Sequence, residues 1–301
     1  MKNYKVFITG AAGFVGKHLT LHLLNRGYSV CVFIKKGHDR SFFTKLGVRD
    51  IYEGDLEYGC PELKEAFHQH NFDAVVHLAA LIKATWPEFQ KVNVDGTRYL
   101  IELAQAQPNL PKFVFTSTDF VLFDAGNEYK ESKRLGEELL RKTKLPYTIL
   151  RPSPIYGPGD TKNLASLIGL IKKFPVLPAP SFTMYPIYVG DLVDGIEKVL
   201  RSGNVARKEY NLPGGSVMTF YQMMAIIKKI SKSRCILVPV PNRLFMMLAK
   251  LQEIFLPNPV LNYYQVQKWA LNKPISAQEA KGAFGFVQTP FEEGIKTTIK
   301  R

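Results

Sequence analysis

Three closely spaced glycines near the start of the chain constrain its fold more than any other feature. Gly10, Gly13 and Gly16 follow an apolar, strand-like run at residues 5–8 and open an amphipathic stretch at residues 14–26. An apolar strand that turns on glycines into a helix leaves unbonded backbone N–H groups at the helix N-terminus, where the helix dipole attracts a pyrophosphate. The segment therefore predicts a dinucleotide site. The alternative is an ordinary glycine turn between a strand and a helix.

Strand-like and helical stretches alternate over the first 150 residues, and this pattern predicts a parallel sheet covered by helices on both faces. The predicted strands are residues 5–8, 30–34, 50–53, 74–77, 113–116 and 148–151, and the predicted helices are residues 14–26, 61–69, 88–105 and 130–142. Proline- and glycine-rich turns then begin after residue 151. We therefore expect an α/β, Rossmann-type doubly wound sheet at residues 1–152. A smaller, mainly helical substrate lobe is expected at residues 153–301, with part of 183–212 returning to the first domain.

The chain of 301 residues carries a formal net charge of +14, which favours anionic partners. The alternative is a well-solvated basic surface. No basic run alternates with aromatic residues, so we expect no nucleic-acid partner. The cysteines at positions 31, 60 and 235 are scattered, which predicts no metal site, no disulfide framework and a reducing, cytoplasmic compartment. The N-terminus runs directly into the first predicted strand, so we expect no signal peptide. No stretch of 18 apolar residues occurs, so we expect no membrane span.

The end of the second predicted strand bears on the choice of cofactor. An acidic residue there bonds the adenosine ribose of NAD, whereas a basic residue accommodates the 2′-phosphate of NADP. Lys35 and Lys36 occupy this place, which favours NADP over NAD. Asp39 keeps NAD open, and both lysines are alternatively only exposed side chains. After the third strand, Asp55 is a candidate acceptor for the adenine amine, or else a simple turn residue.

A tyrosine and a lysine carry the chemical argument. Tyr129 and Lys133 are four residues apart on a predicted helix, so their side chains lie on one face, one turn apart. An ammonium beside a phenol lowers the phenol pKa, as a proton-transferring tyrosine requires, and the same lysine can bond the nicotinamide ribose. Thr118 follows the fifth strand and can offer a hydroxyl to the reacting oxygen, with Ser117 as the second choice. A surface coincidence is the alternative to this interpretation.

Eight sequence pieces, in order, resemble the extended short-chain dehydrogenase/reductase family, which includes nucleotide-sugar epimerases and dehydratases and dihydroflavonol-reductase-like enzymes. The likeness covers nearly the whole chain, including its C-terminal GAFGFVQTPFEEGIKTTI. The matching pieces are TGAAGFVG (9–16), GDL (54–56), HLAA (77–80), NVDGT (93–97), TST (116–118), Tyr129 with Lys133, RPSPIYGPGD (151–160) and YVGDL (188–192).

The resemblance implies roles for individual residues. Tyr129 becomes the acid/base, Lys133 its partner and ribose ligand, and Thr118 the hydroxyl that polarises the substrate. Asn93 supports a proton relay, with helix capping as the alternative, and His77 is interpreted as a satisfied core histidine. The remaining cofactor-binding residues are expected to be Gly10, Gly13, Phe14, Val15, Gly16, Lys35, Lys36, Asp55, Leu56, Leu78, Ala79, Ala80, Pro152 and Ile155.

These features predict an NAD(P)-dependent oxidoreductase that transfers a hydride at a C–OH/C=O carbon of a small molecule, either a nucleotide-sugar or another anionic or apolar carbonyl compound. Two alternatives stay open, an epimerase/dehydratase acting by transient oxidation and a non-catalytic subunit that holds NADP. Only 11 positions separate Thr118 from Tyr129. Sugar-nucleotide epimerases of the family have a longer, substrate-covering loop there. The TDFVLFD segment resembles a motif of dTDP-4-dehydrorhamnose reductases, and the short gap resembles members related to a complex I accessory subunit.

The segment at residues 242–260 contains more apolar side chains than one helical stripe requires, yet it is too short and too often interrupted by charges to span a bilayer. Packing against the second lobe or within a homodimer is one interpretation. The other is an open apolar patch that contacts an anionic membrane or a lipid-like substrate.

Overall fold

The first half of the chain alternates strands and helices in the predicted order. We describe a computed structural model covering residues 4–124, 127–161, 164–255, 263–270 and 275–299. The elements are β1 (Lys5–Thr9), α1 (Phe14–Asn25), β2 (Ser29–Ile34), α2 (Ser41–Lys45), β3 (Asp50–Glu53), α3 (Pro61–Gln69), β4 (Ala74–His77), α4 (Trp86–Phe89), α5 (Gly96–Gln105), β5 (Lys112–Thr116), α6 (Glu128–Arg141) and β6 (Tyr147–Pro152).

Short strands and helices make up the second half. They are β7 (Ile155–Tyr156), α7 (Leu164–Lys173), β8 (Val176–Ala179), β9 (Thr183–Met184), β10 (Ile187–Tyr188), α8 (Val189–Arg201), β11 (Lys208–Leu212), β12 (Met218–Thr219), α9 (Phe220–Ser231), β13 (Ile236–Pro239), α10 (Asn242–Phe255), α11 (Tyr263–Ala270), α12 (Gln278–Phe284) and α13 (Phe291–Ile299).

Seven strands pair in parallel in the order β11-β6-β5-β4-β1-β2-β3. The order reverses between β1 and β4, and ligands of such sheets bind at the carboxyl ends of the strands beside this switch point. The predicted α/β, Rossmann-type fold is therefore confirmed. Strand β11, from the second half of the chain, forms one edge of the sheet next to β6.

The core divides over the two faces of the sheet because successive strand residues point to opposite sides. Val6 and Ile8 of β1 belong to one buried cluster, which includes α1 and α8, whereas Phe7 belongs to the other, which includes α3, α5 and α6. A third buried cluster joins α7, α9 and α13 in the second lobe. The lobe thus has an apolar core of its own beside the carboxyl ends of the sheet strands.

The predicted helix at residues 88–105 differs from the observed structure. Residues Gln90–Asp95 form a π-helical turn between α4 and α5. A π turn adds a residue to the helical repeat and displaces the side chains that follow, and such turns are frequent at functional sites. A sequence pattern read with a period of 3.6 residues does not reveal this insertion.

Candidate functional site

The glycine turn between β1 and α1 forms a tightly fitted backbone cradle. Gly10 has a φ of +71°, and a Cβ atom there would lie 2.6 Å from the backbone nitrogen of Ala79. At Gly16 a Cβ atom would lie 2.3 Å from the carbonyl oxygen of Gly10. Gly10 therefore permits both the turn and the close approach of β4, and Gly16 permits the close packing of α1 on the turn.

The N-terminus of α1 suits an anion. Gly13 is the exposed N-cap residue, no side chain caps the helix, and no acidic residue stands in its first turn. The Gly13 N–H donates to the Gly10 carbonyl at 3.0 Å, while Phe14 and Val15 begin the helix as half-buried residues. The helix dipole thus meets no anionic side chain at this end, and the first-turn N–H groups fit a pyrophosphate.

Residues after β4 line the same edge of the sheet. Leu78, Ala79 and Ala80 are half-buried, and the Leu78 N–H donates to the Thr9 carbonyl beside the glycine turn at 3.2 Å. His77 is fully buried, and its two ring nitrogens bond the hydroxyls of Thr9 and Thr97 at 2.6 and 2.8 Å. Burial lowers the pKa of His77 well below its ordinary range, and nearby Lys133 lowers it further. The interpretation of His77 as a satisfied core histidine is confirmed.

Basic side chains follow β2, as the sequence indicated. Lys35 and Lys36 are exposed, and neither makes an ion pair within the described part of the chain. The Asp39 carboxylate accepts bonds from the Ser41 N–H at 2.8 Å and the Ser41 hydroxyl at 2.7 Å, so it is held at the start of α2.

At the end of β3, Asp55 is exposed and Leu56 is buried. A Cβ atom at Gly96 would lie 2.8 Å from Leu56 Cγ, so the start of α5 holds this segment closely. The Asp55 carboxylate is therefore open to solvent, next to a residue that α5 holds in place.

Helix α6 carries the predicted tyrosine and lysine on one face. Tyr129 is half-buried, with its ring centroid 6.2 Å from that of Phe89. Lys133 is 3% exposed, and its Nζ lies 4.1 Å from the centroid of the Phe115 ring on β5. Its ammonium has no hydrogen bond to any residue that the structure describes. A buried ammonium with unused donors suits an oxygen-rich ligand such as a ribose diol.

The predicted lowering of the tyrosine pKa is wrong for this state of the protein. Burial raises the pKa of Tyr129 above its ordinary range, and the Asp119 carboxylate raises it further. Burial also lowers the pKa of Lys133 to about 7, while Glu137 opposes that change. Desolvation disfavours the charged form of each group, the phenolate of Tyr129 and the ammonium of Lys133, so it moves the two pKa values in opposite directions. The tyrosine therefore holds its proton at neutral pH.

Thr118 and Ser117 follow β5 next to this pair. The Thr118 hydroxyl oxygen accepts from the Phe120 N–H at 3.3 Å and lies 3.4 Å from Oδ1 of the buried Asp119. Thr118 thereby caps a short 3-10 turn at Asp119–Leu122. The Ser117 hydroxyl is buried and has no hydrogen-bond partner among the described residues. The sequence identified Thr118, but it gave no signal for Asp119 as the charge that acts on Tyr129.

The π turn positions Asn93 behind the tyrosine. The buried Asn93 side chain accepts from the Leu81 N–H at 2.8 Å and donates to the Leu81 carbonyl at 3.0 Å and the Ser132 hydroxyl at 2.9 Å. Ser132 in turn donates to the Tyr129 carbonyl at 2.7 Å. Asn93 therefore connects the loop after β4 to α6 and does not cap a helix with its side chain. Ser132 was missed because one serine beside a lysine has no distinctive spacing.

A buried ion network holds α6 against the sheet. Arg151 on β6 donates to Glu137 on α6 at 2.9 and 2.5 Å and to Glu209 on β11 at 2.5 Å. The chain continues into Pro152, which is buried, and Ile155, which is half-buried on β7. This network fixes the helix that bears Tyr129 relative to the strand that leads into the second lobe.

The chain is similar in sequence to known epimerases and to a known reductase. The profile of the NAD dependent epimerase/dehydratase family matches residues 6–212. Ceramide reductase of Caulobacter vibrioides is 36% identical over 179 residues, which are 59% of this chain and 54% of that protein, so the chain spans about half the length of this curated relative. UDP-glucose 4-epimerase of Pisum sativum is 26% identical over 79% of this chain and 85% of its own.

Among solved structures, the UDP-glucuronic acid 4-epimerase of Bacillus cereus in complex with UDP-glucuronic acid and NAD superposes with a TM-score of 0.74. It is 19% identical, and the match covers 98% of both chains. That likeness supports the fold alone. Among the described residues, no helix is both long enough and apolar enough to cross a bilayer. With the family profile matched over most of the chain, this protein belongs to the NAD-dependent epimerase/dehydratase family.

Proposed function

We propose that this protein is an NAD(P)-dependent oxidoreductase that reduces a carbonyl, or oxidises the corresponding alcohol, of a small molecule. The observation that carries the proposal is the arrangement of Tyr129 and Lys133 on one face of α6, next to Thr118 and the glycine cradle at the carboxyl ends of the strands. Cofactor binding alone does not require a half-buried tyrosine beside an ammonium with unused donors, so this pair favours an enzyme over a non-catalytic subunit that holds NADP.

Each part of the cradle has a proposed role toward the cofactor. The N–H groups of Phe14 and Val15 bind the pyrophosphate, with Gly10, Gly13 and Gly16 giving it access. Lys133 donates to the nicotinamide ribose hydroxyls, and Asp55 accepts from the adenine beside Leu56. The remaining contacts are assigned to Leu78, Ala79, Ala80, Pro152 and Ile155. When bound, the cofactor supplies or accepts the hydride.

The described state of Tyr129 suits the reducing direction. A phenol whose pKa is raised carries its proton at neutral pH and can donate it from Oη to the oxygen of a carbonyl as that carbon is reduced. We assign to the Thr118 hydroxyl a second hydrogen bond to the same oxygen. Asn93 supports the start of α6, which bears Tyr129, because its side chain bonds Leu81 and Ser132 and the Ser132 hydroxyl bonds the Tyr129 carbonyl.

Replacement of Tyr129 tests the mechanism. Tyr129→Phe removes the transferable proton and keeps the ring, so we expect turnover to fall roughly 10²–10⁴-fold while cofactor affinity stays within about twofold. Oxidation of NADPH and of NADH is followed by absorbance with long-chain keto-lipids and UDP-sugars as substrates. Tyr221→Phe, on α9, is a matched control and should retain wild-type turnover. Near-normal turnover of Tyr129→Phe on an accepted substrate contradicts the mechanism.

A nucleotide-sugar epimerase is the second candidate, supported by the match to the pea epimerase over 85% of that protein. An epimerase that oxidises and then re-reduces its substrate retains the cofactor, whereas a reductase releases it. Native mass spectrometry of protein purified without added cofactor separates the two functions. Retained NAD favours the epimerase, and an empty site that exchanges NADPH favours the reductase.

We propose NADP as the preferred cofactor, because Lys35 and Lys36 stand after β2 without ion pairs to described residues while Asp39 is bonded to Ser41. Charge-assisted bonds to a 2′-phosphate are worth roughly 1.5–3 kcal/mol, or about one to two decades in affinity. Lys35→Ala should weaken NADPH binding about tenfold and leave NADH binding unchanged. Lys142→Ala serves as the control in calorimetric titrations. Equal affinities of the wild-type protein for both cofactors contradict the preference.

We assign residues 1–152, with helix α8 and strand β11, to the cofactor domain, and the remainder of residues 153–301 mainly to the substrate lobe. The pairing of β11 with β6 and the packing of α8 in the same core cluster as α1 support this division. The unpaired, buried cysteines at 31, 60 and 235 support a reducing, cytoplasmic compartment.

A further inference from the structure

Charge is distributed very unevenly along this chain. Residues 161–190 and 210–252 contain nine lysines and arginines but no aspartate or glutamate. Both stretches lie mainly in the second lobe, and their nine cations compare with a net charge of +14 for the whole chain. Long stretches with cations and no carboxylate give this part of the lobe a positive potential that attracts anionic surfaces.

Helix α10 presents an apolar stripe to solvent on this lobe. Its Phe245 and Ala249 are buried in a small cluster with Phe182 and Val266. The opposite side is exposed, and its apolar members lie at helical spacing. They are Leu244, Met247, Leu248 and Leu251, each 40–52% exposed. The helix therefore packs with one side and leaves a second apolar side uncovered. Residues 256–260 of the predicted apolar segment lie outside the described residues.

The strand pair β8/β13 adds a second exposed apolar face just before α10. Val176 pairs with Ile236 and Pro178 with Val238, and because side chains alternate along strands these four share one face of the pair. All four are exposed, whereas Leu177 and Leu237 on the other face pack against α9. Strand β13 ends at Pro239 and α10 begins at Asn242, so the two apolar faces are neighbours along the chain.

Exposed cations border both apolar faces. None of them pairs with a carboxylate in the described ranges. They are Lys172, Lys173, Lys232, Arg234, Arg243 and Lys250. The Lys173 Nζ lies 5.7 Å from the centroid of the exposed Phe174 ring. Apolar side chains surrounded by cations match the interface of an anionic bilayer, where the apolar groups enter the headgroup boundary and the cations meet lipid phosphates.

We propose that this surface, composed of the exposed face of α10 and the outer face of β8/β13, docks the second lobe onto an anionic lipid bilayer. A second copy of the chain fits the surface less well, because two faces bordered by cations repel each other. The proposal concerns a surface away from Tyr129 and Lys133, and it stands independently of the reaction assigned to them.

Co-sedimentation of the full chain with vesicles tests the docking surface. The vesicles contain phosphatidylcholine alone or phosphatidylcholine with about 30% phosphatidylserine, at about 50 mM and about 500 mM NaCl. We expect binding to the phosphatidylserine vesicles at low salt and at least about tenfold weaker binding at high salt. Absence of binding to anionic vesicles at low salt, or equal binding to neutral vesicles, overturns the proposal.

Matched variants locate the contact. Leu248→Glu introduces a charge on the exposed stripe and should weaken binding about tenfold, whereas Leu21→Glu, at an equally exposed leucine on α1, should change it less than about twofold. Lys172→Gln/Lys173→Gln at the end of α7 should weaken binding more than about tenfold. Lys142→Gln/Lys144→Gln after α6 is the control for that loss of charge.

Two outcomes of the variant series overturn the proposal. In the first, each control weakens vesicle binding as much as its partner, so that only net charge matters. In the second, analytical ultracentrifugation shows a wild-type dimer that Leu248→Glu dissociates while vesicle binding is unchanged, and the face is then an interface between copies. Circular dichroism and NADPH titration of each variant verify folding, which we expect to be kept because all the substituted side chains are exposed.

Discussion

The pKa of Lys133 can be tested by unfolding experiments that need neither cofactor nor substrate. Lys133 is 3% exposed, and burial lowers its pKa from 10.5 to about 7. Glu137 opposes this shift, but its carboxylate already accepts bonds from Arg141 and Arg151. In the unfolded chain the lysine regains its ordinary pKa. Between about pH 7 and 10.5 this lysine therefore binds more protons in the unfolded chain than in the folded chain, so its contribution to the free energy of unfolding rises with pH across this window.

The size of the effect follows from the two pKa values. Within the window, the free energy of unfolding rises by at most about 1.4 kcal/mol for each pH unit. From pH 7 to pH 9 this one group raises it by about 2 kcal/mol. Lys133→Met keeps the apolar stem and removes the titrating charge. We therefore expect the free energy of unfolding of the variant, minus that of the wild type, to fall by about 2 kcal/mol between pH 7 and pH 9.

Urea denaturation followed by circular dichroism at pH 7, 8 and 9 measures this difference. Lys142→Met, at the exposed end of the same helix, is the control, and its difference from the wild type should be the same at all three pH values. The slope of the free energy of unfolding against urea concentration should be the same for all variants, which verifies that each exposes the same surface area on unfolding. A difference between Lys133→Met and wild type that stays constant with pH refutes the desolvation argument.

Two further substitutions test the support of the site. Asn93→Ala leaves the Leu81 backbone groups and the Ser132 hydroxyl without their buried partner. We therefore expect the free energy of unfolding, measured by urea denaturation, to fall by about 2–3 kcal/mol. An unchanged free energy of unfolding contradicts this prediction. Glu137→Gln removes one anion from the network around Arg151. It should lower the free energy of unfolding by about 2 kcal/mol at pH 7 in the same assay. The network is not structurally important if this variant is as stable as the wild type.

The sequence predicted those parts of the fold that depend on local patterns. The six strands predicted in the first 151 residues all form, and most of them are short apolar runs bounded by turn residues. Gly10 and Gly16 were identified for the reason the structure gives, since a Cβ atom at either position meets backbone. Lys35 and Lys36 were expected at the end of β2 and lie there, exposed.

The remaining features depend on contacts between segments distant in sequence. The pKa of Tyr129 was predicted from Lys133, four residues away, but burial and Asp119, which follows a different strand, determine its direction. The π turn around Asn93 is stabilised by bonds to Leu81 and Ser132, and no sequence period reveals it. Tertiary desolvation outweighs a local charge pair in the first case, and tertiary hydrogen bonds select the backbone in the second.

The short connection between Thr118 and Tyr129 brings one carboxylate, Asp119, close to both α6 and the second lobe. Phe123, near the end of the 3-10 turn that Thr118 caps, accepts a hydrogen bond from the Lys130 ammonium, so this connection is tied to α6. Tyr185 of the second lobe is close enough that the Asp119 charge, together with burial, raises its pKa to about 12. The second lobe therefore contributes a residue to the surroundings of Asp119, the same carboxylate that raises the pKa of Tyr129.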